Sequence, residues 1–223
     1  MTNENSLKNV LFDLDETMYP TETGVMELIG ERINEYMSLR LGIHPDEVAA
    51  LRDAYYKRYG TTGRGLYLHY NMDVGDYFEF VHDLPLDDLL EPDPRLDEML
   101  GSLDLQKVIF TNATAEHARR VLQVLQVEQH FDLIVGIKEL EYLPKPDMRA
   151  YRRTLELLDV RPEECLLIDD RVRNLEPGRR LGMTTVLVGG PVVDDGADFA
   201  IEEIVQLGGL MKEIRSRHQR PGQ

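Results

Sequence analysis

Three short apolar runs in this chain each stop at polar residues. Leu7 begins one that holds Val10, Leu11, Phe12 and Leu14 and carries Asp13 and Asp15 at its end. Lys107-Val108-Ile109-Phe110 ends at Thr111-Asn112, and the run 165–168 ends at Asp169-Asp170. Short runs that are apolar throughout suit strands buried on both faces of a parallel sheet. Residues 131–135 and 184–188 read as further strands. Helical spacing appears at 94–100, 115–125, 147–158 and 174–181, with a final helix expected at 201–207. This alternation, with right-handed crossovers, predicts an α/β fold built on a doubly wound parallel sheet. Such a sheet brings the carboxyl ends of its strands to one edge, where its ligand crevice lies. The polar ends of all three runs are therefore expected to meet.

At the first of these ends, alternation gives Asp13 and Asp15 the same face if the extended form persists that far. Two carboxylates so placed repel each other unless positive charge lies beside them. A divalent cation with oxygen ligands meets that need. The same string also fits a turn after a strand, because Asp and Thr are common turn residues.

Residues 21–90 depart from the alternation. Val25, Ile29, Ile33 and Met37 follow helical spacing, and Gly42 suits a helix end. His44-Pro45-Asp46-Glu47 reads as the next helix start. The stretch 60–65, Gly-Thr-Thr-Gly-Arg-Gly, is expected to break that helix, with short helices at 66–70 and 73–81. The organisation expected is a core formed by 1–20 and 91–215, a small helical cap at 21–90 inserted after the first strand, and a disordered tail at 216–223.

The chain of 223 residues carries 41 acidic and 25 basic side chains, a net charge of −16. That balance argues against nucleic acid or an anionic membrane as a general partner. No stretch approaches the ~20 apolar residues of a membrane span. No signal-peptide core precedes the first strand, so the cytoplasm is the expected location. The single cysteine, Cys165, lies beside Leu166, Leu167 and Ile168 and reads as a buried structural thiol.

A fourth element belongs with the three strand ends. In Leu143-Pro144-Lys145-Pro146-Asp147, prolines on both sides restrict the backbone around Lys145. Lys145 can supply positive charge to a phosphate or to the acidic cluster. Thr111 can donate a hydroxyl, and amides at the following helix start can donate as well.

Together Asp13-Leu14-Asp15-Glu16-Thr17, the strand ending at Thr111, Lys145, and Asp169-Asp170 resemble, in order and spacing, the four motifs of the haloacid dehalogenase (HAD) superfamily of phosphohydrolases. A helical cap between the first and second motifs fits residues 21–90. The resemblance implies that Asp13 attacks phosphorus and forms an aspartyl-phosphate. It implies that Asp15 protonates the leaving alcohol and then deprotonates the hydrolytic water. It implies a magnesium ion held by Asp13, the backbone carbonyl of Asp15, Asp170 directly, and Asp169 directly or through water. Thr111, the Asn112 amide and Lys145 would hold the phosphoryl oxygens. Asn174 would support the site by hydrogen bonding. Arg171 departs from the small residue often found after the paired acids, and Arg171 and Arg173 read as solvated.

The second carboxylate, Asp15, argues against dehalogenation, which needs no proton for a leaving alcohol. Within the superfamily, Tyr59-Gly60-Thr61-Thr62-Gly63 with Gly65-Leu66, Asp76-Tyr77 with Phe80-Val81-His82, Leu90-Glu91-Pro92-Asp93 and Phe110-Thr111-Asn112-Ala113 resemble the pyrimidine 5'-nucleotidase branch. The substrate implied is a small phosphorylated metabolite, a pyrimidine nucleoside 5'-monophosphate. A sugar-phosphate phosphatase, a phosphomutase and a non-catalytic binding relative stand as alternatives. Arg64 is either a contact to base or ribose or an exposed arginine in a turn. Tyr19 either stacks on a base or packs at the cap hinge. His69, His82 and His117 lack metal-binding spacing and are expected to pack or solvate.

Overall fold

The first apolar run forms strand β1 (Asn9–Phe12), buried along its whole length. The computed structural model describes residues 6–190 and 196–218. Five more strands join β1: β2 (Gln106–Phe110), β3 (Leu133–Val135), β4 (Cys165–Asp169), β5 (Thr184–Val188) and β6 (Phe199–Ile201). They make one sheet in the order β3-β2-β1-β4-β5-β6, with every pairing parallel. Phe12 stands opposite Ile109 on one side and Ile168 on the other. The chain steps outward from β1 to β3 and then returns to place β4 on the far side of β1. The order of strands therefore reverses between β1 and β4, which is where an open α/β sheet forms its crevice.

Side-chain alternation along the strands builds two cores. Val10, Phe12, Ile109, Leu166, Ile168 and Val186 face one layer of helices. Leu11, Val108, Phe110, Cys165 and Leu167 face the other. This two-sided burial explains why the strand sequences are apolar at nearly every position. Cys165 is a free, buried thiol, and burial pushes its pKa up to about 12.

Between β1 and β2 lie α1 (Val25–Leu39), α2 (Pro45–Tyr59), α3 (Thr62–Tyr70), α4 (Val74–Val81), the single turn α5 (Leu86–Leu89) and α6 (Pro94–Ser102). Helices α1 to α4 pack around their own apolar cluster of Tyr36, Met37, Val48, Leu66, Tyr77 and Val81. After β2 come α7 (Ala115–Val124), α8 (Met148–Leu158), α9 (Val172–Leu181) and α10 (Leu207–His218). Among the described residues no helix is long and apolar enough to cross a membrane.

Three elements differ from the sequence reading. The glycine-rich stretch interrupts the helices only at Gly60 and Thr61, because the Thr61 hydroxyl accepts the N–H of Arg64 and starts α3 at once. Gly65 lies inside that helix, where a side chain would run into the Tyr55 ring. The helix expected at 201–207 is instead the end of β6, a short turn, and then α10 from Leu207. Leu207, Met211 and Ile214 of α10 are buried in the core cluster, with α10 packed on α6, and the helix continues into the segment expected to be a disordered tail. The rest of that segment, 219–223, lies outside the described residues.

At the foot of β4, Glu164 fastens the sheet to the loop before it. Its carboxylate lies 2.6 Å from Lys8 Nζ and 3.1 Å from Arg161 Nη2, and it accepts the Arg161 N–H at 3.1 Å. Hydrogen bonds from Lys8 and Arg161 hold its pKa down to about 2, from an ordinary value of 4.5. A depressed carboxylate contributes stability above its unfolded pKa and loses it as pH falls toward the folded value. Urea denaturation of wild type and Glu164→Gln across pH should therefore show the widest stability gap above pH ~5, closing as pH falls toward ~2.

Candidate active site

Asp13 is the first residue beyond β1, and its N–H continues the ladder to the Ile168 carbonyl at 2.8 Å. Its carboxylate is nearly buried and lies 2.8 Å from Lys145 Nζ. Lys145 is 1% exposed, and its ammonium also donates to Asp169 Oδ2 at 2.7 Å. The lysine is placed by its backbone. Asn112, at the end of β2, donates through Nδ2 to the Lys145 carbonyl at 3.1 Å and accepts the Lys145 N–H on Oδ1 at 2.7 Å. Gly60 presses on the same peptide: its φ is +89°, and a side chain there would come 2.8 Å from the Lys145 carbonyl oxygen. Thr111 is buried beside it, and its hydroxyl accepts the Ala113 N–H at 3.0 Å.

The paired acids at the end of β4 have different surroundings. Both Asp169 oxygens are engaged: Oδ1 accepts from the Arg171 N–H at 2.9 Å and Asn174 Nδ2 at 3.0 Å, and Oδ2 accepts from Lys145. Asn174 thus supports an acid directly. Asp170 Oδ2 faces Arg171 Nε at 3.2 Å, while Asp170 Oδ1 is buried with no partner. Asp13, Asp169 and Asp170 each offer an oxygen within 4.8 Å of the others. Burial raises Asp13 well above the carboxylate range, and Asp169 and Asp170 add to that rise against the opposing pull of Lys145. Burial and Asp169 likewise raise Asp170. Burial would lower Lys145, but Asp13 and Asp169 outweigh it and hold the ammonium above its ordinary pKa. Three clustered carboxylates against one ammonium and a guanidinium shared with Glu16, with one orphaned oxygen, are a donor set that fits a hard divalent cation. Asp13, Asp170 and, with its oxygens shared, Asp169 could hold it.

Asp15 is brought to the same pocket but not to the same cluster. Strand β1 ends at Phe12, and Glu16 takes the left-handed conformation with φ of 61°. The expected shared strand face of Asp13 and Asp15 is lost in that turn. The Asp15 side chain points elsewhere: it accepts the Tyr19 hydroxyl at 2.6 Å and lies 3.7 Å from His117 Nε2. Burial pushes Asp15 up, but His117 and Tyr19 outweigh it and leave the carboxyl below its usual range. Tyr19 is buried, so it holds Asp15 and is not available to stack on a ligand.

A pocket of about 140 Å³ is lined by Asp13, Asp15, Thr111, Asn112, Lys145 and Arg171. A cavity of about 640 Å³ adjoins it, sharing Asp15, Thr61 and Asn112 and walled by Met26, Tyr56, Tyr67, Met72 and Phe78 of the helical group. Arg64 lines this cavity, and its guanidinium makes no hydrogen bond or ion pair among the described residues; it sits 5.4 Å from the centre of the Tyr67 ring.

Other participants were read from sequence only as packing or solvated residues. His82 and His117 are both buried and stack with centroids 4.1 Å apart, with neither His117 nitrogen hydrogen-bonded. Burial keeps the His82 pKa well below its usual value. The place of His117 in the first turn after Thr114, just beyond Thr111, was the available signal. Arg171 is part-exposed yet engaged, not merely solvated: it bonds Glu16 and Tyr56 as well as Asp170.

This chain matches the haloacid dehalogenase-like hydrolase family over residues 7–182 and belongs to that family. Phosphate metabolism protein 8 of Saccharomyces cerevisiae is 31% identical over 196 residues, covering 81% of this chain; the chain spans 61% of that relative's length. The pyrophosphatase PpaX of Bacillus cereus is 28% identical over 188 residues, covering 82% of this chain and 83% of its own. A HAD phosphatase structure from Thermococcus onnurineus superposes with a TM-score of 0.63 at 23% identity, covering 92% of this chain and 98% of its own.

Replacing Lys145 by Met leaves Asp13 and Asp169 buried together without a cation. Breaking a buried pair in this way costs about 3–5 kcal/mol. Urea denaturation should show a loss of that size in chelator, partly recovered in magnesium chloride.

Proposed function

We propose that this chain is a magnesium-dependent phosphomonoester hydrolase that works through an aspartyl-phosphate on Asp13. Its preferred substrates are pyrimidine nucleoside 5'-monophosphates. The observation that carries the reading is the position of the Asp13 carboxylate, 2.8 Å from a buried lysine and among the acids of β4, at a small polar pocket that adjoins a larger apolar cavity.

The phosphoryl group occupies the small pocket, held by Lys145, the Thr111 hydroxyl and amides at the Asn112 turn. Magnesium, held by Asp13, Asp170 and the Asp15 carbonyl, with Asp169 direct or through water, would offset charge between the nucleophile and phosphate. An Asp13 oxygen attacks phosphorus, and the bond from phosphorus to the ester oxygen breaks. The departing alkoxide takes its proton from Asp15. Asp15, now ionised, removes a proton from water, whose oxygen attacks the aspartyl-phosphate and releases inorganic phosphate and free Asp13. Tyr19 and His117 favour the ionised form that Asp15 needs in the second half. The negative phosphate beside it favours the protonated form needed in the first.

The leaving alcohol occupies the larger cavity. Its walls of Tyr56, Tyr67, Phe78 and two methionines suit a flat ring, and the unpaired Arg64 suits the carbonyl oxygens of a pyrimidine. The resemblance of residues 59–66 and 76–82 to the pyrimidine nucleotidase branch supports the same choice. The helical group is then the cap, excluding water from the aspartyl-phosphate.

Phosphate release should be measured on a panel of nucleotides and sugar phosphates, with magnesium or with chelator. Release should be strongest with uridine or cytidine monophosphate and absent in chelator. Asp13→Asn should lower kcat by about a thousandfold or more. A preference for sugar phosphates would keep the chemistry and reassign the cavity. Folded protein that releases phosphate from nothing on the panel would contradict the reading. Arg64→Ala should raise KM for the pyrimidine nucleotide by about 10-fold with kcat little changed, the size of one lost charge-assisted hydrogen bond.

A further inference from the structure

Arg171 joins three parts of the molecule through the three nitrogens of one guanidinium. Nε lies 3.2 Å from Asp170 Oδ2 at the end of β4. Nη2 lies 2.7 Å from Glu16 Oε2 in the turn after β1. Nη1 donates to the Tyr56 hydroxyl on α2, at 2.7 Å. The Tyr56 ring is in turn covered by Arg173, whose guanidinium carbon is 4.5 Å from the ring centre and whose Nη2 reaches the Tyr56 carbonyl at 3.4 Å. A planar fork with fixed donor directions cannot move at one end without disturbing the others. Glu16 reaches the fork from a left-handed backbone conformation, φ 61°, that is strained in a residue other than glycine.

The consequence for Asp170 is specific. Its Oδ2 is taken up by Arg171, which leaves Oδ1 buried and unpartnered in a carboxylate that has an oxygen within 4.8 Å of oxygens of Asp13 and Asp169. We propose that Tyr56 and Arg171 are positioning residues for the divalent cation. Tyr56 on the helical group holds the Arg171 fork, the fork fixes the rotation of Asp170, and cation affinity is thereby tied to the seating of the helical group on the sheet. The coupling is reciprocal, so cation binding must also hold the helical group down. The inference rests on the metal site of the proposed function, and it assigns the Tyr56 hydroxyl a task separate from the ring's place in the cavity wall.

Tyr56→Phe tests it with the least disturbance, because the ring and its contact with Arg173 remain and only the hydroxyl leaves. The probe is manganese(II) alone, whose free ion is counted by electron paramagnetic resonance, with magnesium as competitor. The dissociation constant of folded Tyr56→Phe should rise about 5-fold or more over wild type. That of Arg171→Gln should rise further. Arg171→Lys, which keeps the charge and loses the fork, should not restore it. Hydrogen exchange over residues 45–70 should slow on adding manganese to wild type and be insensitive to it in Tyr56→Phe. Wild-type affinity in Tyr56→Phe overturns the inference. So does tighter binding in Arg171→Gln, which would make Arg171 a competitor of the cation. Wild-type exchange that ignores the metal also overturns it. If wild type itself binds no manganese, or Asp170→Asn binds it equally well, the metal site of the proposed function has failed instead.

Discussion

The contact on which this molecule depends is the Lys145 ammonium lodged between Asp13 at 2.8 Å and Asp169 at 2.7 Å. Buried in this way, none of the three is tolerable alone. Adjacent parallel strands β1 and β4 deliver the two acids to one point, and the segment before α8 must deliver the cation from across the sheet edge. Much of the surrounding structure serves that delivery. Asn112 at the end of β2 clamps the lysine backbone in both directions, Asn174 on α9 takes up Asp169, and Gly60 lets the helical group close onto the lysine peptide. The site is therefore where the two sides of the sheet, its strand-order reversal and the helical group all meet.

Lys145, and an Arg171 shared between Asp170 and Glu16, do not neutralise the carboxylates they face, and acidic charge is left over in the cluster. Asp13 and Asp170 are both raised by burial and by their neighbours. In the function proposed above, a divalent cation would relieve the repulsion and leave Asp13 ionised for attack. Asp15, only two residues away, is kept out of the cluster by the turn at Glu16 and is bound instead to Tyr19. Two nearby carboxylates are thereby given different environments, the condition for assigning one to nucleophilic attack and the other to proton transfer.

The strands that carry the chemistry were legible in the sequence because each is apolar on both faces and ends in a polar pair. Asp13, Thr111, Asp169 and Asp170 follow from that rule, and Lys145 follows from the prolines on both sides of it. The edge of the sheet was not legible. β6 is only three residues long, and the helix behind it begins with two glycines after Leu207, so neither period is visible over a useful window. The second tier of the site was equally hidden. Tyr19 reads as a hinge or stacking residue until burial shows its hydroxyl on Asp15. Arg171 and Arg173 read as solvated until the fold brings Tyr56, more than a hundred residues earlier in the chain, against them. His82 and His117 meet only because the residue that ends α4 comes against the start of α7, where Thr114 reaches its ring. Such roles depend on tertiary contacts that no local pattern encodes.

In the proposed mechanism Asp13 becomes phosphorylated. Rapid acid quench during turnover of cytidine monophosphate, followed by peptide mass spectrometry, tests it most directly. The account predicts a phosphoryl adduct on the peptide carrying Asp13, formed before phosphate appears in solution and absent in Asp13→Asn. Steady release of phosphate with no adduct at Asp13 at any time, or an adduct on another residue, would contradict it.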